Sequence, residues 1–123
     1  MKAKILIVDD DQFILDMYML KFKNEGYDAE SAMDGVETLR KSKENSPDVI
    51  LLDIVLPHMD GFEILQKLKE QGALERSKVI MLTNVGEKKD VEKGLALGAV
   101  DYIVKAHFTP SEVVKKVEEV LQK

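Results

Sequence analysis

Apolar and polar positions follow two patterns along the chain, and each pattern predicts one kind of secondary-structure element. Three short runs are almost continuously apolar and rich in Ile, Val and Leu, which is typical of strands buried on both faces. These runs are KILIV (4–8), DVILLD (48–53) and KVIMLT (78–83). Two weaker segments, YDAESA (27–32) and DYIVK (101–105), predict an edge strand and a fifth strand.

Longer amphipathic segments separate these runs, and their ends carry helix signals. A capping residue stands three positions before a glutamate at Asp34, Asp60 and Thr109, which is the spacing of a capping box. Glycines that suit the left-handed C-terminal position follow three of the helical patterns, at Gly26, Gly72 and Gly98. Strand and helix thus alternate five times, which predicts an α/β domain. We expect a doubly wound, five-stranded parallel sheet with five helices on its two faces.

Length and charge narrow the class of protein. The chain has 123 residues, so we expect one domain over residues 1–123. Its net charge is −5, which argues against direct contact with nucleic acid or with an anionic membrane surface. Cysteine is absent, which excludes disulfides and thiolate chemistry. No signal peptide or membrane-spanning run is recognisable, so we expect a cytoplasmic protein.

Polar side chains follow the predicted strands at their carboxyl ends, where ligands of parallel sheets bind. Asp9 and Asp10 follow the first strand, Asp53 ends the third, Thr83 ends the fourth and Lys105 the fifth. Crowded carboxylates repel each other unless a cation lies between them, and Mg²⁺ prefers oxygen ligands of this kind. Together with a hydroxyl and an ammonium, they suit a bound phosphoryl group.

The isolated position of Asp53 makes it the candidate nucleophile of this site. A lone carboxylate can itself accept a phosphoryl group, whereas Asp9 and Asp10 form a pair suited to a metal. Asp11, the third acid of the run, is better explained as the cap of the first helix.

Four segments resemble, in order and spacing, the receiver domain of two-component response regulators. They are LIVDDD (6–11), LLDIVLPHMDG (51–61), MLTN (81–84) and GAVDYIVK (98–105). The resemblance covers essentially the whole chain and implies a flavodoxin-like fold with strand order 2-1-3-4-5. The chain ends at Lys123, directly after the last helical pattern. We therefore expect a stand-alone, chemotaxis-regulator-like domain that signals by docking on another protein, unless the chain is one part of a longer protein.

The resemblance also implies roles for individual residues. Asp53 would accept a phosphoryl group from a sensor histidine kinase or a phosphotransfer protein. The Mg²⁺ ligands would be Asp9, Asp10, Asp53 and the backbone carbonyl of Val55.

The remaining implied roles concern how the phosphorylated state is read. Thr83 and Lys105 would contact the phosphoryl oxygens, and Thr83 with Tyr102 would form the switch. The surface of the fourth helix, fifth strand and fifth helix would signal to a downstream output protein, from a monomer or a weak dimer. We expect no turnover of an external substrate, only self-catalysed phosphoryl transfer and slow autodephosphorylation.

One departure from the family pattern and two apolar residues concern the neighbourhood of the site. Ala106 follows Lys105 where the family usually has proline, and a cis bond there would cost about 2.5–4 kcal/mol. Val55 lies two residues after Asp53, and Val85 lies two residues after Thr83. Their side chains cannot form hydrogen bonds with water. They predict slow loss of the phosphoryl group.

Three alternative functions remain open. A Mg²⁺-dependent phosphohydrolase with an aspartate nucleophile commonly has a second acid where this chain has Val55. A flavin- or nucleotide-binding module needs a phosphate cradle after the first strand, where three aspartates would repel phosphate. A phosphorylation-independent, receiver-like binding module would not need the complete set of site residues.

Overall fold

The computed structural model describes residues 3–84 and 87–122, and this part of the chain forms five strands and five α-helices. The strands are β1 (Lys4–Val8), β2 (Asp28–Ala32), β3 (Val49–Asp53), β4 (Lys78–Thr83) and β5 (Asp101–Val104). The helices are α1 (Gln12–Asn24), α2 (Gly35–Asn45), α3 (Gly61–Glu70), α4 (Lys88–Ala96) and α5 (Pro110–Leu121). Two 3₁₀ turns, Ala73–Glu75 and Lys105–His107, complete the list.

The strand boundaries agree with the predicted ones to within one residue, and one difference affects the site. The predicted fifth strand included Lys105, but β5 ends at Val104 and Lys105 begins a 3₁₀ turn. The lysine is therefore released from the sheet ladder, and its side chain can turn back over the strand ends.

All four pairings in the sheet are parallel and give the strand order β2-β1-β3-β4-β5, as predicted. The order changes direction between β1 and β3, which is where ligands of such sheets bind. Val8 pairs with Leu52 in the register of these two strands. An aspartate directly follows each of these two residues, so Asp9 and Asp53 lie side by side.

Side chains of the central strands alternate between two hydrophobic layers. One layer packs under α1 and α5 and receives Ile5, Ile7, Val49, Leu51, Ile80 and Leu82. The other layer packs under α3 and receives Leu6, Val8, Ile50, Leu52, Val79 and Met81. By the same alternation, the Asp53 side chain lies on the face of the sheet covered by α1 and α5. The Thr83 side chain lies on the face covered by α3.

The helix starts use the caps that the sequence predicts. Asp11, Asp34, Asp60 and Thr109 each accept a hydrogen bond from a backbone N–H of the first turn. The complete reciprocal box forms at Thr109, where Glu112 accepts from the Thr109 N–H. The predicted left-handed positions are also confirmed, because Gly26, Gly72 and Gly98 have φ values of 92°, 78° and 114°. No helix among the described residues is long and apolar enough to cross a bilayer.

Candidate functional site

An acidic cluster lies at the carboxyl edge of the sheet, beside the change in strand order. Asp9, Asp10 and Asp53 each place a carboxylate oxygen within 4.8 Å of the others. Asp9 and Asp53 are buried, whereas Asp10 is exposed. Two carboxylates about 4 Å apart repel by roughly 4 kcal/mol at an effective dielectric of 20. The cluster therefore requires positive charge nearby.

The ammonium group of Lys105 supplies part of that charge. Its Nζ lies 2.7 Å from Asp9 Oδ2 and 3.1 Å from Asp53 Oδ2, so it bridges the two buried carboxylates. The Lys105 side chain is only 11% exposed, which leaves little water to screen the interaction. Three carboxylates and one ammonium leave two negative charges uncompensated.

Backbone N–H groups bind the second oxygen of each buried carboxylate. The Asp11 N–H donates to Asp9 Oδ1 at 3.0 Å, and the Val55 N–H donates to Asp53 Oδ1 at 3.3 Å. All four oxygens of Asp9 and Asp53 thus have a donor within the protein. These contacts fix both side chains, so the carboxylates are positioned before any ligand arrives.

Burial and neighbouring charges have opposite effects on the pKa values of Asp53 and Lys105. Burial raises the pKa of Asp53 above its ordinary value, and the Lys105 ammonium reduces this shift without reversing it. Burial alone would lower the pKa of Lys105, but the bonds and charges of Asp9 and Asp53 outweigh it and leave that pKa raised. Lys105 is therefore held firmly in its cationic form.

Thr83 lies beside Asp53 but belongs to the opposite layer of the sheet. Asp53 pairs with Leu82 in the register between β3 and β4, and buried Thr83 follows Leu82 at the end of β4. The Thr83 hydroxyl therefore lies on the α3 side of the sheet. The Lys105 ammonium contacts Asp9 and Asp53, whose side chains lie on the side of α1 and α5. The two groups predicted to contact a phosphoryl group approach the strand ends from different sides.

Tyr102 lies on β5 and is 38% exposed. It lines a cavity of about 220 Å³ together with Asp101, Val104, His107, Phe108 and Lys116. The predicted switch aromatic is therefore at the surface in this structure, beside open space.

The loop between β3 and α3 is closely packed against the strand that carries Asp53. The Gly61 N–H donates to the Ile54 carbonyl at 2.7 Å, which closes the loop. A Cβ on Gly61 would lie 2.3 Å from the Asp53 backbone carbonyl oxygen. His58 has a φ of 67°, and the Met59 N–H bonds to the Pro57 carbonyl across it, as in a γ-turn.

Gly61 is a site residue that the sequence reasoning missed. The sequence places Gly61 at a helix start and at the end of the LLDIVLPHMDG segment but assigns it no role, and its φ is not positive. A glycine in the first turn without a positive φ indicates close approach of another backbone. The φ of Gly61 and the strand that approaches it are known only from the structure, so no signal in the sequence identifies this contact.

The structure thus brings together four predicted site residues, namely Asp9, Asp10, Asp53 and Lys105. The Val55 residue adjoins them through its N–H, while 72% of it is exposed. No cis peptide bond occurs in the described part of the chain, so the backbone before Ala106 is trans. Val85 lies outside the described residues.

The donor set fits a hard divalent cation. Carboxylate oxygens are the ligands that Mg²⁺ selects, and Mg²⁺ sites usually combine one or two carboxylates with water and phosphate oxygens. The two uncompensated charges match its valence, and exposed Asp10 leaves the cluster open to solvent.

Comparison with known families identifies one model that covers most of the chain. The family described as the response regulator receiver domain matches residues 5–118. Among curated proteins, the alkaline phosphatase synthesis transcriptional regulatory protein PhoP of Bacillus subtilis is 39% identical over 123 residues, which are 100% of this chain and 50% of that protein. The DNA-binding response regulator MtrA of Mycobacterium leprae is 36% identical over 123 residues, which are 100% of this chain and 53% of that protein. The chain spans about half the length of these relatives.

Solved structures match the chain over nearly its full length. The chemotaxis response regulator CheY4 of Vibrio cholerae superposes with a TM-score of 0.90 and 33% identity, covering 98% of this chain and 99% of that one. A CheY-like receiver domain protein from Methanospirillum hungatei gives a TM-score of 0.90 and 34% identity, covering 99% and 95%. The family model and the solved structures therefore agree on one family and one fold.

Proposed function

Because this chain belongs to the receiver domain family of two-component response regulators, we propose that its signalling state is switched by phosphorylation of Asp53. The observation that supports this choice most strongly is the setting of the Asp53 carboxylate. It is buried at the end of β3, bridged through Lys105 to Asp9, and lies at the change in strand order. A nucleophile held in this way is oriented before the phosphodonor binds.

The reaction transfers a phosphoryl group from a phosphohistidine to the Asp53 carboxylate. A carboxylate oxygen of Asp53 forms the new bond to phosphorus, and the bond from phosphorus to the imidazole nitrogen breaks. The electron pair of that bond returns to the imidazole, which leaves neutral when its other nitrogen carries a proton. Lys105 and Thr83 are the protein groups suited to bind the equatorial oxygens, because one supplies charge and the other a hydroxyl donor.

The metal of this reaction would be Mg²⁺, held by Asp9, Asp10, Asp53 and the backbone carbonyl of Val55. When bound, it supplies positive charge to the oxygens of the transferring group. Asp9 and Asp53 are already fixed by backbone donors, so their side chains need little rearrangement to serve as ligands. Exposed Asp10 gives the cluster its access to solvent.

The switch would connect Thr83 to Tyr102. Movement of the Thr83 hydroxyl towards a phosphoryl group on Asp53 would leave space on the α3 side, which the partly exposed Tyr102 could fill. The surface of α4, β5 and α5 would then present a different face to a downstream protein. Phosphorylation can shift this equilibrium only by its differential affinity for the two states.

The partners would be a sensor histidine kinase or a phosphotransfer protein, followed by an output protein or an output domain. Relatives such as MtrA are named as DNA-binding, but this chain spans about half their length. The net charge of −5 remains the reason to expect no direct contact between this domain and nucleic acid.

Intact-protein mass spectrometry tests the proposal. The chain is incubated with acetyl phosphate, with Mg²⁺ or with a chelator, and peptides are mapped after mild proteolysis. We expect one acid- and base-labile phosphate on Asp53 in the presence of Mg²⁺, and none in the Asp53→Asn variant. A phosphate that persists in Asp53→Asn at the same level would show that the acceptor lies elsewhere.

A further inference from the structure

A cavity of about 420 Å³ lies at the amino-terminal edge of the sheet, at the opposite edge from the acidic cluster. Three of its lining residues directly precede strands, and three belong to the last turn of α5 or follow it. They are Ala3, Tyr27 and Asp48, and Glu118, Leu121 and Gln122. A volume of this size is typical of sites for small organic molecules.

The floor of this cavity is apolar. Tyr27 is buried in the hydrophobic layer under α1 and α5, and Ala3 and Leu121 pack against the same layer. The rings of Phe22 and Tyr27 meet edge to face with 5.2 Å between their centroids, which holds Tyr27 in place. A ligand in the cavity would therefore meet an apolar surface that is already formed.

The charged groups around this floor are acidic. Asp48 and Glu118 each contribute a carboxylate, and none of the six described lining residues carries a positive charge. The Lys4 N–H donates to Asp48 Oδ2 at 2.8 Å, which fixes this carboxylate at the start of β3. Burial raises the pKa of Tyr27, and the charges of Glu118 and Glu25 raise it further. Negative potential therefore extends to the Tyr27 phenol.

The carboxyl end of α5 adds to this negative potential. A helix end of this kind carries a partial negative charge, which basic side chains in the last turn can offset. The last turn of α5 contains no basic side chain. The Lys78 ammonium reaches the Val120 carbonyl from β4 at 3.0 Å and so offsets part of this charge. Among these described groups, two carboxylates and a helix end face one ammonium, which leaves the cavity negative.

We propose that this cavity binds an aliphatic ammonium ion. Its alkyl chain would pack on Tyr27 and Leu121, and its ammonium group would face Asp48 and Glu118. An inorganic cation would leave the apolar floor uncovered, and an anion would be repelled by the carboxylates. The cavity contains none of the residues proposed to act in phosphorylation, so this inference does not depend on the proposed function.

An NMR titration of ¹⁵N-labelled wild type with hexylamine at pH 7 tests the proposal. We expect amide shifts at the lining residues and binding in the millimolar range. The probes 1-hexanol and hexanoate have the same chain with a neutral or an anionic head, and should bind at least about fivefold more weakly. Butylamine has two methylenes fewer and should bind about threefold more weakly or worse.

Variants of the two carboxylates test the polar half of the site. Glu118→Gln and Asp48→Asn keep the shape of each side chain, and the asparagine oxygen can still accept the Lys4 N–H. Each should weaken hexylamine binding by about two- to fivefold. Glu119→Gln is the matched control, because exposed Glu119 is the next residue of α5 and does not line the cavity. It should change the affinity by less than about 1.5-fold.

Several results would overturn the proposal. Hexylamine that binds no tighter than 1-hexanol would exclude the carboxylates as its partners, and so would equal affinities in all three variants. Shifts confined to Asp9, Asp10 and Asp53 would assign the ammonium to the acidic cluster instead. An absence of shifts at millimolar concentration would show that the cavity does not bind such ions. Phosphorylation of Asp53 is measured separately and is unaffected by each of these results.

Discussion

Gly61 and Asp53 are in backbone contact: a Cβ added to Gly61 would lie 2.3 Å from the Asp53 carbonyl oxygen. The first turn of α3 therefore rests directly on the end of the strand that carries the proposed acceptor. Any side chain at position 61 must separate the helix from the strand.

Replacement of Gly61 by alanine should consequently disturb the site as well as the fold. We expect Gly61→Ala to lose about 1–3 kcal/mol of unfolding free energy, the usual cost of overpacking, and to be phosphorylated at least tenfold more slowly. Urea denaturation and acetyl phosphate labelling measure the two effects. Gly94→Ala in α4 is the control, because its Cβ would meet side chains and no backbone, with Met81 at 3.1 Å and the Phe62 ring at 3.8 Å. Equal labelling rates in the two variants would show that the contact does not position Asp53.

Asp10 is the exposed member of the acidic cluster, and its charge should matter chiefly for the metal. We expect Asp10→Asn to abolish both Mg²⁺ binding and phosphorylation at concentrations that saturate wild type. Without metal, the variant should be more stable by about 1 kcal/mol or less, because one repulsion is removed and the group is exposed.

The neighbouring Asp11 provides the control for that experiment. Asp11 Oδ1 caps α1 by accepting from the Phe13 and Ile14 N–H groups, and asparagine caps helices equally well. Asp11→Asn changes the charge by the same amount and should keep Mg²⁺ binding. Magnesium-dependent phosphorylation that survives in Asp10→Asn would remove Asp10 from the ligand set.

The Thr83 hydroxyl should couple phosphorylation to the surface around Tyr102. We expect Thr83→Ala to be phosphorylated on Asp53 but to lose most of the backbone amide shifts in α4 and β5 that beryllofluoride induces in wild type. Thr83→Ser keeps the hydroxyl and should restore them. Wild-type shifts in Thr83→Ala would exclude the hydroxyl as the coupling group.

The lifetime of the phosphorylated state should depend on how water reaches Asp53. The exposed Val55 cannot orient a water molecule, and the same holds chemically for Val85. We expect Val55→Asn with Val85→Glu to lose phosphate about tenfold faster, which corresponds to about 1.4 kcal/mol in the barrier. Phosphate release after removal of the donor measures the rate, and each single variant shows which position acts. A double variant as slow as wild type would contradict the prediction.

Tyr27 should make the fold less stable in alkali. Burial, followed by the charges of Glu118 and Glu25, raises the pKa of Tyr27 from 10.0 to about 12. The folded state therefore retains a proton that the unfolded state releases between these values, and stability falls as pH rises through this range. The loss should be about 1–2 kcal/mol, less than the full shift corresponds to, because solvent screens part of the interaction.

Urea denaturation between pH 9 and pH 12 measures this loss. In Tyr27→Phe the unfolding free energy should fall less steeply with pH, because the variant lacks the Tyr27 hydroxyl proton. An identical decline in the variant would assign the alkaline loss to other groups, such as Tyr18, whose pKa burial also raises.

The sequence predicted the fold because its apolar runs were short, rich in branched residues and separated by well-capped helices. It also predicted that Asp9, Asp10, Asp53 and Lys105 meet, since parallel strands bring their carboxyl ends to one edge. It did not predict that Lys105 bridges Asp9 and Asp53. The apolar pattern placed Lys105 at the end of the fifth strand, whereas β5 ends at Val104 and Lys105 lies in a turn.

Other features of the site depend on contacts that no local pattern records. The contact of Gly61 with Asp53 joins a helix start to a strand end, and the γ-turn at His58 follows from closing the loop between them. The strand order itself came from the family resemblance, because hydrophobic periodicity identifies strands without ordering them.

The alternation of side chains along β3 and β4 places the proposed acceptor and the proposed coupling residue on opposite faces of one sheet. Asp53 lies on the face of the sheet that α1 and α5 cover, whereas Thr83 lies on the face that α3 covers. Substitutions around Asp53 should therefore alter mainly the rate of phosphorylation, and those around Thr83 mainly the structural response to it.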